Sequence, residues 1–194
     1  KQFLLKPVDF RRLVAAQLDR AGREIRRRKL TLTTEYPKSE VYVMADEEKL
    51  GDVIDNLLSN ACKFSPAGGG LKIIVTVGKD QVHLSVVDAG PGVPPEILPH
   101  IFDTFSAANQ GPTREYPGLG LGLPLSKQII EMIGGRIWVE SEGSGRGTTA
   151  RLTLPVSKND AAPTVVDGSE IMRKKHILIV EDNPDLVEVL MLFL

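Results

Sequence analysis

The chain has 194 residues, of which 42% are hydrophobic and 25% are charged, and its formal net charge is −1. This length and composition allow one hydrophobic core of ordinary domain size, so we expect one full domain and a remnant. The nearly neutral charge leaves no basic excess for a nucleic-acid backbone, and no apolar run approaches the roughly 18 residues that a membrane span needs. The single cysteine, Cys62, cannot form an internal disulfide, which is compatible with a reducing compartment.

Hydrophobic periodicity predicts the elements of the first half. Apolar residues at steps of three and four predict a helix over about 8–28, which ends in the basic run RRRK. KLTLTTE alternates like a strand, VYVMA predicts a second short strand, and Asp46 is a suitable N-cap for a long helix over about 47–64. LKIIVTV and HLSVVD, separated by the turn GKDQ, predict an antiparallel hairpin.

The second half begins with a long irregular stretch, about 89–117, that contains one short helix near 95–100. Long irregular connections are usually functional. A helix over about 123–133 follows GLGLGL, and the runs GRIWVES and GTTARLTLP are predicted to complete a mixed sheet with helices on one face. Residues 157–173 are polar and aperiodic, which predicts a linker, and residues 174–194 begin again with a buried strand and a helix.

Three polar residues lie on one side of the predicted long helix. At about 100° per residue, Asn56, Asn60 and Lys63 fall within a narrow arc, opposite the apolar residues of the same helix. Magnesium takes oxygen ligands and keeps several waters, so Asn60 together with phosphate oxygens would suffice to hold it. Lys63 would place a positive charge on the terminal phosphates. On a lone helix, however, the same residues more often only solvate a polar face.

Two glycine-rich segments carry the rest of the candidate site. Asp88 ends an apolar strand and precedes AGPGVP, in which Gly90 and Gly92 permit positive φ and let a ligand approach the backbone. A carboxylate there can accept a hydrogen bond from an adenine amine, although Asp and Gly after a strand are also ordinary turn residues. GLGLGL directly before a helix offers N–H groups to phosphate. It matches neither the dinucleotide fingerprint nor a Walker loop, and alone it could be a connector.

The order of the motifs decides between these interpretations. NLLSNACKFS, DAGPGVP, IFDTF, GLGLGLPLSKQIIEMIGG and GTTARLTLP together resemble the ATP-binding catalytic domain of sensor histidine kinases, over about residues 1–156. The resemblance implies a two-layer α/β sandwich of the Bergerat type, with a mixed, mostly antiparallel sheet covered by helices on one face. It implies ATP and Mg²⁺ as cofactors, with Asn60 as the metal ligand, Lys63 on phosphate and Asp88 on adenine. The other ATP-binding residues that it implies are Gly90, Gly92, Val93, Gly118, Gly120, Gly122, Leu123 and Thr148.

The residue at position 56 bears on the type of reaction. Related hydrolases carry a glutamate general base one helical turn before the magnesium asparagine, whereas this chain has Asn56. An amide cannot accept a proton near neutral pH, so we predict that Asn56 is catalytic by orienting the metal, and that the domain performs phosphoryl transfer. Two alternatives stay open. One is a slow ATP hydrolase of the same superfamily, and the other is a non-catalytic ATP-sensing module.

The resemblance also predicts partners. None of the three histidines has the flanking residues of the family's phosphoacceptor helix, and KPVDFRRLV resembles the segment that follows the dimerisation domain. HILIVEDNPDLVEVLMLFL resembles the start of a response-regulator receiver domain, within residues 174–194. We therefore expect a hybrid histidine kinase, homodimeric, whose own dimerisation and receiver domains are the partners. For this fragment we expect a cytoplasmic location without nucleic-acid or membrane contact; anchoring of the parent in the inner membrane is left open.

Overall fold

The structure is a computed structural model that describes residues 2–104, 121–159 and 162–167. Residues 105–120, which include most of the segment from IFDTF to GLGLGL, and the predicted receiver segment, residues 174–194, lie outside the described residues. No helix in the described part of the chain is both long enough and apolar enough to cross a lipid bilayer.

Eight strands, three α-helices and one short 3-10 helix make up the described part of the chain. The helices are α1 (Phe10–Arg27), α2 (Glu47–Phe64) and α3 (Gly122–Met132), and the 3-10 helix spans Leu98–His100. The strands are β1 (Gln2–Asp9), β2 (Thr31–Glu35), β3 (Tyr42–Ala45), β4 (Gly70–Val77), β5 (Gln81–Asp88), β6 (Arg136–Glu140), β7 (Thr148–Pro155) and β8 (Thr164–Asp167).

The main sheet has the strand order β2-β4-β5-β7-β6. β2 runs parallel to β4 and the other three pairs are antiparallel, so the predicted mixed, mostly antiparallel sheet is confirmed. Buried residues alternate along the central strands, as Leu71, Ile73 and Val75 do on β4. On that face α2 contacts β5, α3 contacts β6 and α1 packs on α2. The predicted two-layer α/β sandwich is therefore confirmed.

The edge strand β2 differs from its sequence pattern in burial. The alternation in KLTLTTE predicted a strand, and Thr31–Glu35 forms one, but all five of its side chains are exposed. Leu32, for example, is 40% exposed. β2 lies at the edge of the sheet, and among the described strands it pairs only with β4. Alternation alone did not reveal which strand would lie at the edge.

A second, smaller sheet has the order β3-β1-β8 and was not predicted. The predicted first helix began near residue 8, whereas Gln2–Asp9 is strand β1 and α1 begins at Phe10. Asp9 caps that helix, since its Oδ1 accepts a hydrogen bond from the Arg12 N–H at 3.1 Å. Strand β8 lies within the segment 157–173 that was expected to be an aperiodic linker. Both strands find their partners far away in sequence, which local periodicity cannot indicate.

Helix α2 has the bounds and the cap that the sequence predicts. Asp46 Oδ1 accepts a hydrogen bond from the Lys49 N–H at 3.2 Å, and Oδ2 accepts one from the Leu4 N–H of β1, also at 3.2 Å. One carboxylate thus satisfies an open donor of the helix and links the helix to the smaller sheet. The apolar side of α2 is fully buried and consists of Leu50, Val53, Ile54, Leu57, Leu58 and Ala61. Its burial determines where the opposite, polar side of α2 points.

Replacing Asp46 with alanine should lower the free energy of unfolding by about 1–2 kcal/mol, because α2 loses its N-cap. Asp46→Asn keeps an oxygen acceptor and should retain most of the stability. Urea denaturation measures both variants. Asp52→Ala is the control, since Asp52 is an exposed carboxylate on the same helix, and it should cost less than about 0.5 kcal/mol. Equal losses for positions 46 and 52 would contradict the role of the cap.

Candidate functional site

The polar side of α2 carries Asn56, Asn60 and Lys63, all of them half-buried. The Asn60 side-chain N–H donates to Asn56 Oδ1, with an Nδ2 to Oδ1 distance of 3.4 Å. Because its nitrogen is directed at Asn56, Asn60 leaves its Oδ1 without a hydrogen bond from any described residue. That oxygen is the atom that Asn60 can offer to a ligand.

Helix α3 is joined to α2 at Asn56. The Asn56 Nδ2 group donates to Ser126 Oγ at 3.0 Å, and a Cβ at Gly122 would overlap Asn56 Oδ1 and lie 3.0 Å from its Cγ. Gly122 and Ser126 are one helical turn apart on α3, so the Asn56 amide is held against the first turns of that helix. The end of the GLGLGL segment therefore lies beside the polar side of α2.

The sequence analysis did not identify Ser126 as a site residue. The available signal was its spacing, since it lies four residues after Gly122 and hence on the same face of α3. Leu123, which the resemblance assigned to the site, is half-buried and packs against the hydrophobic core. Gly118 and Gly120 lie outside the described residues, so their predicted phosphate contacts stay predictions.

Asp88 ends β5 and lies opposite Thr148 of β7. Its Oδ1 accepts a hydrogen bond from the Gly90 N–H at 2.8 Å. Burial raises the pKa of Asp88 above its ordinary range, while hydrogen bonds from the backbone N–H groups of Gly90 and Thr148 oppose that rise. The two N–H groups stabilise the ionised form and orient the carboxylate as an acceptor.

The turn after Asp88 requires glycine at two positions, because a side chain there would collide with neighbouring atoms. A Cβ at Gly90 would lie 2.6 Å from Asp88 Oδ1 and 3.0 Å from the Phe64 carbonyl oxygen, so the absent side chain lets this turn approach the last residue of α2. Gly92 has φ +77°, and a Cβ there would overlap the carbonyl oxygen of Gly143. Gly92 thus adopts the left-handed backbone that the sequence analysis expected, and the close approach at Gly90 is made by the end of α2. The approach of a ligand to this turn stays a prediction.

Ser141 ties this turn to the loop between β6 and β7. The Val93 N–H donates to Ser141 Oγ at 2.9 Å, and the Ser141 hydroxyl donates to the Gly147 carbonyl at 2.8 Å. The Gly147 N–H in turn donates to the Gly90 carbonyl at 3.1 Å. Two loops that are distant in sequence thus hold each other, and Ser141 is a second residue that the sequence analysis missed.

Lys63 lies at the end of α2 that approaches the Asp88 turn. Its Nζ is 4.9 Å from the centroid of the Phe64 ring. Partial burial lowers the pKa of Lys63 below the ordinary value for lysine. A cation with part of its hydration removed interacts more strongly with an anionic ligand than a fully solvated one does.

The residues present fit magnesium only in the company of phosphate. In the part of the chain that the structure describes, no cluster of three or more His, Cys, Asp or Glu side chains could hold a metal ion. Magnesium commonly binds through one or two protein oxygens, several waters and the phosphates of a substrate. The Asn60 Oδ1 provides one neutral oxygen of that kind, so the site suits an ion that arrives bound to a nucleotide.

A cavity of about 510 Å³ lies elsewhere, between the 3-10 helix, α3 and the edge strand β6. Its lining includes Phe102, Lys127, Ile137 and Trp138. It borders on Ser141 but includes none of the α2 residues described above. The cavity is therefore separate from the polar groups on α2 that form the candidate site.

Comparison with known proteins identifies the family. Residues 45–158 match the family model described as histidine kinase-, DNA gyrase B-, and HSP90-like ATPase. The sensor histidine kinase WalK of Bacillus subtilis is 38% identical over 121 residues, which cover 61% of this chain and 20% of WalK. The adaptive-response sensory kinase SasA of Thermosynechococcus vestitus is 35% identical over 156 residues, which cover 80% of this chain and 40% of SasA. The chain thus spans less than half the length of these relatives.

Solved structures show the same architecture. The mycobacterial sensor histidine kinase MprB matches with a TM-score of 0.67 and 29% identity, over 78% of this chain and 97% of that one. Full-length ShkA, solved in complex with AMPPNP, matches with a TM-score of 0.68 and 26% identity, over 79% of this chain and 31% of that one. This chain belongs to the histidine kinase-, gyrase B- and HSP90-like ATPase family, within which it is a histidine-kinase ATP-binding catalytic domain.

Two glycines in the β6–β7 loop allow a matched test of the contact behind Asp88. Gly145 and Gly147 have φ +79° and +73°, but a Cβ at Gly147 would overlap the Asp88 carbonyl oxygen, whereas a Cβ at Gly145 would meet nothing within 4 Å. Gly145→Ala should cost about 1–2 kcal/mol for the left-handed backbone alone. Gly147→Ala should cost clearly more in the same urea titration. Equal costs would show that the backbone contact with Asp88 is unimportant.

The raised pKa of Asp88 predicts a pH dependence of stability. Since the folded state holds this proton more tightly than the unfolded state, stability falls as pH rises from about 4 through the raised pKa. Relative to Asp88→Asn, the wild type should lose stability between pH 4 and pH 7. Glu140→Gln should show the opposite sign, because hydrogen bonds from Trp138 and Arg151 lower the pKa of Glu140. If the stability of the wild type and that of Asp88→Asn varied with pH in parallel, the raised pKa of Asp88 would be contradicted.

Proposed function

We propose that this chain is the catalytic domain of a hybrid sensor histidine kinase, in which it transfers the γ-phosphoryl group of Mg-ATP to a histidine on the parent's dimerisation domain. Family membership supports the nucleotide, and the observation that carries the proposal is the meeting of three motifs along α2. Gly122 approaches Asn56, and Gly90 approaches Phe64. Eight residues of helix separate those two points by about 12 Å, a length that an extended nucleoside triphosphate spans.

Adenine recognition is assigned to Asp88. An ionised carboxylate only accepts hydrogen bonds, so it favours the exocyclic amine of adenine over the carbonyl that guanine presents at the same ring position. The Gly90 N–H holds the acceptor in place. Gly92 and Val93 follow in the same turn and would line the base. A polar site of this kind discriminates strongly, because the wrong base leaves a buried acceptor without a donor.

Phosphate binding is assigned to the polar side of α2 and to the start of α3. Lys63 would place its charge on the terminal phosphates, and the N-terminus of α3 at Gly122 would present backbone N–H groups. Asn60 would contribute its Oδ1 to magnesium, which when bound neutralises phosphate charge. ShkA, a structural relative, was solved with AMPPNP, which supports a nucleotide of this class.

Transfer to an amino acid is favoured over hydrolysis by the surroundings of Asn56. Its amide donates to Ser126 and accepts from Asn60, so it is held in place and has no basic atom with which to activate water. In the proposed step a histidine ring nitrogen forms a bond to the γ-phosphorus. The bond from that phosphorus to the β–γ bridging oxygen breaks, and ADP leaves. This domain contributes position and charge neutralisation.

The wider context belongs to the same proposal. The parent would be a homodimer whose dimerisation domain supplies the histidine and whose receiver domain, beginning near residue 174, accepts the phosphoryl group next. The domain itself would work in the cytoplasm. The competing functions are a slow ATP hydrolase and a non-catalytic ATP-sensing module. Asn56 argues against the hydrolase, because it replaces the glutamate base. Phosphotransfer measurements distinguish a sensing module from a kinase domain.

Calorimetric titration tests nucleotide recognition. The wild type should bind ATP with magnesium saturably and GTP at least tenfold more weakly, and Asp88→Asn should abolish ATP binding because the amide can present an N–H in place of an acceptor. Asp80→Asn changes an exposed carboxylate in the turn before the same strand and should bind like the wild type. A folded wild-type chain that binds no ATP would overturn the proposed function.

A further inference from the structure

We propose that Ser126 is a positioning residue for magnesium: its hydroxyl orients the Asn56 amide, and Asn56 in turn determines which atom of Asn60 faces the metal. The inference rests on the proposed function and adds to it a residue on a different helix from the metal ligand. Ser126 touches neither nucleotide nor metal in this account, and it acts only through Asn56.

The chain of contacts is continuous and partly shielded from water. Ser126 is only 3% exposed, and its Oγ lies 3.0 Å from Asn56 Nδ2. Asn56 Oδ1 then lies 3.4 Å from Asn60 Nδ2. These two hydrogen bonds hold the Asn56 amide in the orientation that the structure shows, with its nitrogen toward Ser126 and its oxygen toward Asn60.

The sense of each hydrogen bond determines the chemistry at the far end. Ser126 accepts from the Asn56 nitrogen, so the Asn56 oxygen faces Asn60 and accepts from the Asn60 nitrogen. The remaining atom, Asn60 Oδ1, is an oxygen as magnesium requires. If the Asn56 amide were reversed, its nitrogen would face Asn60, which would turn its own oxygen inward. An amide nitrogen bearing two hydrogens would then point outward, and it cannot bind a metal.

Gly122 makes the arrangement specific to the docked position of α3. A Cβ at this position would overlap Asn56 Oδ1, so the amide fits only because residue 122 has no side chain. Gly122 and Ser126 both contact this amide from α3, one helical turn apart. A shift of α3 would thus change the Asn56 contact with Ser126, and with it the orientation of Asn60.

The test compares ATP affinity with saturating magnesium and with EDTA, by calorimetry on the whole chain. The dissociation constant of ATP in EDTA, divided by the dissociation constant with magnesium, reports how strongly magnesium supports binding. Measuring this ratio requires no catalytic activity. Ser126→Ala should reduce that ratio by about tenfold, as is typical when a residue that orients a metal ligand is lost. Its affinity for ATP in EDTA should stay like that of the wild type, because Asp88 is untouched. Ser126→Thr keeps the hydroxyl and should restore the ratio.

Ser85→Ala is the matched control. Ser85 is also a buried serine, 6% exposed, whose Oγ accepts one hydrogen bond, from Arg151, and it lies on β5. It should leave the ratio unchanged. If Ser126→Ala does not fold, Ser126→Cys replaces it. This variant should also reduce the magnesium ratio, because a thiol is only a weak hydrogen-bond acceptor. An unchanged magnesium ratio in the folded variant, or an equal loss with and without magnesium, would overturn the role of Ser126 while leaving the proposed function intact. A wild-type chain that binds no ATP would overturn both.

Discussion

The candidate site depends first on the burial of the apolar side of α2 against the main sheet. Ile54, Leu57 and Leu58 are almost fully buried, and each buried side chain of this size contributes about 1.5–3 kcal/mol. Turning the helix by a single residue would rotate it by about 100° and bring polar groups into the core. The same packing that stabilises the domain therefore fixes the direction of Asn56, Asn60 and Lys63. Asp46 adds to this by fixing where the helix begins.

Both glycine-containing motifs are placed by their contact with this one helix. The turn after β5 approaches the end of α2 through Gly90, and α3 approaches its middle through Gly122. Neither approach is possible for a residue with a side chain, so a binding surface assembled from three distant segments needs glycine at two of them. The amide of Asn60 is then presented by helix α2. The carboxylate of Asp88 is presented at the start of a turn that is hydrogen-bonded to the β6–β7 loop. A surface held in this way would keep a triphosphate in position for the proposed transfer.

Sequence patterns predicted the parts of this arrangement that are local. The period of α2 and its cap at Asp46 depend on neighbouring residues, and both agree with the structure. Partners across long separations could not be predicted in this way: Ser126 meets Asn56 across 70 positions, and Ser141 meets Val93 across 48. Strand β1 was assigned partly to a helix for the same reason, since its partners are distant strands. The resemblance to histidine kinases, which rests on the order of the motifs, predicted the main sheet but did not identify these two serines.

The most direct test of the account is phosphotransfer from γ-labelled ATP to the separately prepared dimerisation domain of the parent, with this chain supplied in trans. The account predicts label on a histidine, recognisable as an acid-labile phosphoramidate, that depends on magnesium and is lost in Asn60→Ala. Steady release of inorganic phosphate without a labelled histidine would indicate a hydrolase. ATP binding with neither product would indicate a sensing module, and either result would contradict the proposed transfer.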